Sequence, residues 1–252
     1  TVAGLTGCFL FTSCRSAQET TARYEISKVE GNMITIDSTW DANPDKKATT
    51  VLKPYKDKVD AMMYEVIGTS EMKMDKGTPE SLLSNLVASV LQEAAAQVLG
   101  KPADMGLVNM GGLRNILPKG DITVGAVFEI LPFENSLCVL TMKGTDMKRL
   151  FKAIASLHGE GVSGIRLEIN KKGELLNATI GGKPVVDDQL YTVATIDYLA
   201  DGNGRMDAFL QAEKRECPED ATLRGLFLDY VRKQTAEGKI ITSKLDGRIT
   251  VK

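Results

Sequence analysis

The residues Leu82, Leu83, Leu86, Val87, Val90, Leu91, Ala94, Val98 and Leu99 constrain this chain more than any other set. Their spacing by threes and fours predicts one long helix. Gly100 and Pro102 stop it. Thr78-Pro79 reads as its opening, with Thr as N-cap and Pro at the first helical position. The apolar stripe is broad, so the helix is expected to lie across a sheet. Ser84 and Asn85 fall inside it and should either face solvent or hydrogen-bond to a nearby loop.

The partners for such a helix follow downstream. Strand-like runs occupy 105–109, 137–143, 165–169, 175–180 and 191–196. Asn170-Lys171-Lys172-Gly173 and Gly181-Gly182 have the composition of turns between them. Thr123 is placed to cap a short helix ending at Ile130. Thr145 is placed to cap another through Met147, Leu150, Phe151 and Ile154. Leu223, Leu226, Phe227, Tyr230 and Val231 describe a last helix, and Ile249 and Val251 a last strand. Interspersed helices and hairpin-paired strands predict an α+β (mixed α/β) fold, a layered mixed sheet with helices packed outside.

Upstream, Tyr24 to Val29 and Met33 to Ile36 alternate around Glu30-Gly31-Asn32, a hairpin signal. A polar stretch runs from Asp37 to Lys47. Val51, Leu52, Tyr55, Val59, Met62, Met63 and Val66 then mark one face of a helix leading into the main domain. Pro54 falls either near its first turns or at a kink. These signals divide the chain into an N-terminal remnant (1–14), a tether with a hairpin (15–47) and one domain (48–252).

Composition removes several function classes. With 252 residues, 43% hydrophobic and 25% charged, the chain is ordinary globular material. A net charge of -2 and 6% aromatics argue against nucleic acid as a partner. There is one histidine, His158, in Leu157-His158-Gly159 at an expected helix end. A cation there complements the last carbonyls. Dinuclear phosphoesterase centres usually need several histidines. No metal or other cofactor is therefore expected on this chain. The cysteines, Cys8, Cys14, Cys138 and Cys217, form no Cys-x-x-Cys pair, which argues against structural zinc. Cys138 alternates with apolar neighbours and reads as a buried thiol. Whether it pairs with Cys217 is left open by sequence.

Asn109-Met110-Gly111-Gly112-Leu113-Arg114 carries the chemistry. An apolar strand stops at an Asn, passes two glycines and ends on an Arg. Such a turn offers backbone N–H groups and one cation to a small polar or anionic ligand. Phe133 follows in Leu131-Pro132-Phe133, where the proline stiffens its approach. A rigid aromatic beside a cationic turn suits a flat base joined to a charged group. The bland reading is a tight turn with Phe133 in the core.

Thr1 to Ser13 carry no charge and are too short to span a bilayer. Small residues before Cys14, then a polar stretch from Arg15 to Arg23, resemble the end of a bacterial lipoprotein signal. Cys14 is the expected acylation site. Leu5-Thr6-Gly7-Cys8 fits the lipobox pattern better but would leave Phe9-Leu10-Phe11 exposed. A lipid on Cys14 would make an exported protein held to a bilayer, in the periplasm or at the cell surface, with its body in water.

Five motifs together resemble the C-terminal domain of 5'-nucleotidases from about Tyr55 to Asp207. They are the Asn109–Arg114 turn, Gly120-Asp121-Ile122-Thr123, Leu131-Pro132-Phe133, Val162-Ser163-Gly164 and Asp197-Tyr198-Leu199-Ala200-Asp201-Gly202. The resemblance implies a substrate-gripping domain, with the two catalytic metals on a separate metallophosphoesterase domain. It makes Asn109, Gly111, Gly112 and Arg114 the substrate-binding turn. Phe133 and Tyr198 become the aromatics that sandwich the base. Three departures accompany it. Met110 replaces the first glycine of the usual triplet. Thr78-Pro79-Glu80 lacks the usual preceding Arg. Gly204 stands where a ribose-binding Asp is usual, with Asp201 or Asp207 as substitutes. Only about fifty residues precede Val51, with no Asp-x-His or Asn-His among them. Two functions are therefore expected to compete. One is the nucleotide-binding subunit of a split 5'-nucleotidase served by a metallophosphoesterase partner. The other is a non-catalytic surface lipoprotein that captures nucleosides or nucleotides.

Overall fold

The computed structural model describes residues 25–252. It divides at Thr49/Thr50 into two units. Cys8 and Cys14 lie outside the described residues, and so does Tyr24, the first residue of the expected hairpin. In the N-terminal unit that hairpin does not form, because residues 25–36 are exposed and carry no strand. Two strands with no third strand or helix to cover them lack the burial that stabilises a hairpin in water. A 3-10 turn, Ser38–Ala42, follows, capped by Asp37. Trp40 Nε1 donates to the Thr35 carbonyl at 2.9 Å.

The elements in chain order are α1 (Lys46–Met63), β1 (Val66–Ser70), α2 (Leu82–Ala94), α3 (Ala96–Leu99), β2 (Met105–Val108), β3 (Gly120–Thr123), α4 (Val124–Ile130), β4 (Leu137–Lys143) and α5 (Gly144–Ser156). They continue as β5 (Gly161–Ser163), β6 (Ile165–Ile169), β7 (Leu175–Ile180), β8 (Lys183–Pro184), β9 (Leu190–Ile196), α6 (Asp197–Ala200), β10 (Lys214–Glu216), α7 (Leu223–Ala236) and β11 (Ile249–Val251). The fold is α+β. One mixed sheet has the order β10-β4-β9-β2-β5, a second β11-β6-β7-β8, and β1 pairs with β3. Among these strand pairs, only β2–β9 and β11–β6 are parallel.

α1 departs from expectation. Pro54 lies inside it, and none of its residues is buried. Of the predicted apolar face, Val51, Leu52, Tyr55, Val59 and Met62 are exposed, Met63 is half-buried against the core, and Val66 belongs to β1. The ion pairs Lys53–Asp57 and Lys56–Asp60 support the helix along its surface.

α2 starts later than Thr78-Pro79 suggests. The Thr78–Pro79 peptide is cis, and Ser81 is the N-cap, accepting from the Ser84 N–H at 3.3 Å. Glu80 then ties this start to the chain's end, accepting from the N–H groups of Asp246 and Arg248 at 2.8 and 2.9 Å. Asn85 takes the second of its two expected roles, donating to Glu80 Oε1 and the Lys244 carbonyl.

The helix lies across β2 and β5, as its broad stripe requires. The approach is close. A Cβ on Gly106 of β2 would meet the Ala88 carbonyl oxygen at 2.2 Å. Ser163 Oγ on β5 donates to that same carbonyl at 2.9 Å. All four residues of β2 are buried. β2 is therefore held between α2 and its neighbours β9 and β5, and its exit into the Asn109 turn is fixed.

Cys138 is buried, but it is not a thiol. It forms a disulfide with Cys217, just beyond β10. The bond fastens the edge strand β10 to β4.

Replacing Gly106 by Ala puts a methyl into the helix backbone. We expect a loss of about 2 kcal/mol or more, read as a lower urea midpoint with an unchanged slope. An unaltered midpoint would contradict this packing.

Candidate functional site

The Asn109–Arg114 turn leaves β2 as a short 3-10 segment, Met110–Gly112. Its closing bonds run from Gly112 N–H to the Asn109 carbonyl (3.0 Å) and from Leu113 N–H to the Met110 carbonyl (3.2 Å). Neither glycine has positive φ. They leave room for Asn109: a Cβ on Gly112 would stand 3.0 Å from Asn109 Oδ1 and one on Gly111 3.3 Å from Asn109 Nδ2, so the carboxamide would have to shift by a few tenths of an ångström. The bare α-carbons let the Asn109 carboxamide lie along the turn. Its Oδ1 is buried and accepts no hydrogen bond, an arrangement that costs about 1–3 kcal/mol.

Three neighbours hold this turn. Lys76 Nζ donates to the Leu113 carbonyl and, at 3.3 Å, to that of Met110. Arg114 N–H donates to the Ile130 carbonyl at 2.9 Å, joining the turn to the end of α4. From behind, the Met110 N–H donates to the buried carboxyl of Glu160. Burial pushes the Glu160 carboxyl up from its ordinary 4.5 to about 7, while the Met110 N–H pulls it down.

The second wall comes from β9 and α6. Thr195 and Ile196 are core residues of β9, and α6 lifts Tyr198 out of it. Asp197 organises this wall. Its Oδ1 accepts from the Tyr198 N–H at 2.7 Å and from Asn135 Nδ2 at 3.0 Å. Asn135 belongs to the loop that carries Phe133, so one carboxylate links both aromatic positions.

Phe133 is 49% exposed and Tyr198 44%. Neither ring is a core residue, which disposes of the bland reading of Phe133. Both line one cavity of about 310 Å³, with Asn109, Gly111, Gly112 and Asn135. Polar and aromatic groups thus converge on a space suited to a flat ligand with a polar tail.

Three of the residues singled out from sequence stand apart from this lining. Arg114 is exposed, with Nη1 3.4 Å from the Gly111 carbonyl. Among the described residues it forms no ion pair. Asp201 is drawn to Arg215, whose Nη1 lies 2.7 Å from its Oδ1. Asp207 is exposed in a 3-10 segment after α6 and does not line the cavity. At Gly204 the backbone has φ of +64°, and its Cβ position lies 3.8 Å from the Tyr198 ring. A side chain at Gly204 would be strained. Among the described residues no three His, Cys, Asp or Glu side chains gather so as to hold a metal ion. His158 ends α5 as expected, in the left-handed region at φ 60°.

Residues 66–211 match the family model of the 5'-nucleotidase C-terminal domain. The chain belongs to that family. It is 27% identical over 238 residues to the trifunctional nucleotide phosphoesterase protein YfkN of Bacillus subtilis (strain 168), covering 86% of this chain and 16% of that protein. It is 26% identical over 234 residues to an apyrase of Anopheles gambiae, covering 85% and 40%. Its fold superposes on the 5'-nucleotidase precursor of Thermus thermophilus with a TM-score of 0.69 and 26% identity, covering 84% of this chain and 44% of that one. The chain thus spans less than half the length of each of these relatives.

Sequence reasoning passed over Asn135, Glu160, Asp197 and Lys76. Glu160 had left a signal, as a lone charge among the small and apolar residues of Gly159 to Val162. Between pH 4.5 and about 7 the folded state keeps the Glu160 proton while the unfolded chain releases it. Stability therefore falls as pH rises through that window, by about 3 kcal/mol in all. We expect Glu160→Gln to abolish this slope in melting temperature against pH. Parallel profiles for the two proteins would refute it.

Proposed function

We propose that this chain is the nucleotide- or nucleoside-binding part of a 5'-nucleotidase-type phosphohydrolase. One observation carries the reading: two half-exposed rings, Phe133 and Tyr198, share a cavity with the glycine turn. The base stacks between the rings, each contributing about 1–3 kcal/mol regardless of base identity. Asn109, Gly111 and Gly112 meet the sugar or phosphate side. Arg114, exposed at the end of the turn, turns to the phosphate. Asp201 contributes only if Arg215 releases it.

Among the described residues no cluster fits a dinuclear metal site, and the part we assign to them is to bind and orient. Hydrolytic divalent metals then belong to a metallophosphoesterase partner, and positioning the substrate for that partner is this chain's part in catalysis. Export, with a lipid on Cys14, is part of the same proposal. The Cys138–Cys217 disulfide supports it, because such bonds persist in oxidising compartments.

Capture without turnover is the second reading. It draws on the engagement of Asp201 by Arg215 and on the left-handed backbone at Gly204, which disfavours a side chain there.

The deciding experiment measures phosphate release from AMP with manganese, with and without an added metallophosphoesterase domain of the 5'-nucleotidase type. Release only in the mixture is expected. Binding with no release in either supports capture, and strong release by this chain alone overturns both. Phe133→Ala and Tyr198→Ala should each lower adenosine affinity about tenfold. Unchanged affinity in both would dispose of the base clamp.

A further inference from the structure

Phe133 is presented on a loop whose backbone has few partners of its own. Leu131 is the C-cap of α4, so its carbonyl lies past the last helical bond. Pro132 brings no N–H and fixes its own φ. The carbonyls of Leu131 and Pro132 would be orphans next to a buried core.

Both are taken by one side chain. Arg224, in the first turn of α7, is 8% exposed. Its Nη1 donates to the Leu131 carbonyl at 3.1 Å and to the Pro132 carbonyl at 3.2 Å. Nη2 donates to the Glu134 carboxylate. The guanidinium lies 4.1 Å over the Phe128 ring of α4. Residues 131, 132 and 134 are therefore all held by one group, and Phe133 is the residue between them left to project.

The first turn of α7 is itself in fixed register with this loop. Leu223 N–H donates to the Asn135 carbonyl, and Leu137 N–H to that of Ala221, each at 2.8 Å. Ser136 and Thr222 form an antiparallel bridge. The planar fork, two carbonyls, a carboxylate and an aromatic face together require Arg; an ammonium has no equivalent geometry.

We infer that Arg224 is a positioning residue for the Phe133 wall and sets the affinity for a stacked base without touching it. Arg224 lies outside residues 66–211, so this role falls beyond the region that defines the family. It rests on the base-clamp reading above.

The test is a double-mutant cycle on the full chain, with adenosine binding measured by calorimetry. Arg224→Met keeps the stem and removes the fork. It should weaken adenosine about tenfold, the same order as Phe133→Ala. The double variant Phe133→Ala/Arg224→Met should be no weaker than Phe133→Ala alone, because Arg224 acts only through that ring. A merely structural arginine would add its loss to both backgrounds. Arg224→Lys should recover part of the affinity, and if Arg224→Met does not fold, Arg224→Lys takes its place in the cycle. Glu134→Gln, at a side chain 74% exposed, should change affinity less than about twofold.

Additive losses, or a folded Arg224→Met that binds like wild type while Phe133→Ala does not, would overturn the positioning role alone. Equal binding by wild type and Phe133→Ala would instead remove the clamp, and this inference with it.

Discussion

Contact between the α2 backbone and β2 at Gly106 governs the rest of the domain. A helix this close to a strand allows no side chain between them, and Gly106 supplies the gap. Ser163 Oγ bonds the same Ala88 carbonyl from β5, so the helix is fixed to two strands at one point. β2 then has no freedom to slide, since a shift of one residue would bring a side chain into the helix. The consequence reaches the functional end of the strand: Asn109 leaves β2 where the packing puts it, and Glu160, which leads into β5, meets the Met110 N–H beside it.

From there the construction is one of mutual bracing. The turn is joined to α4 through Arg114 N–H and Ile130, the loop after α4 to α7 through Arg224, and the same loop to α6 through Asn135 and Asp197. The Phe133 wall is therefore supported from α7, which does not itself line the cavity, whereas the Tyr198 wall is tied to it through Asn135, which does. This is the arrangement in which a ligand meets groups already in place, supported by hydrogen bonds behind them. Ionic contacts play a smaller part. Glu134 and Asp201 are exposed partners and contribute little by charge alone.

Most regular elements were legible because their burial is periodic. The strands at 137–143, 165–169 and 175–180 carry alternating or continuous apolar residues and occupy the predicted spans. Thr123 caps α4 through its own side chain as expected, whereas Thr145 does not cap α5, which begins at Gly144 after Lys143. The errors have physical reasons. Thr78-Pro79 resembled a helix start, but Ser81 offers a cap three residues nearer the apolar run. The segment at 25–36 has strand alternation without anything to cover it. β1, β3, β5 and β10 were missed because they are short or polar, and only pairing with distant strands makes them strands. At the site, Asn109, the two glycines, Phe133 and Tyr198 were legible as a motif set. Asn135 and Arg224 were not, and the roles of Asp197 and Glu160 were not, because they rest on hydrogen bonds to distant residues, which no local pattern records.

The braced walls also bear on kinetics. A cleft assembled before anything enters asks little reorganisation of an incoming flat molecule, so encounter rates should vary little from one such molecule to the next. Differences in how well each ring face is covered then appear as differences in residence time.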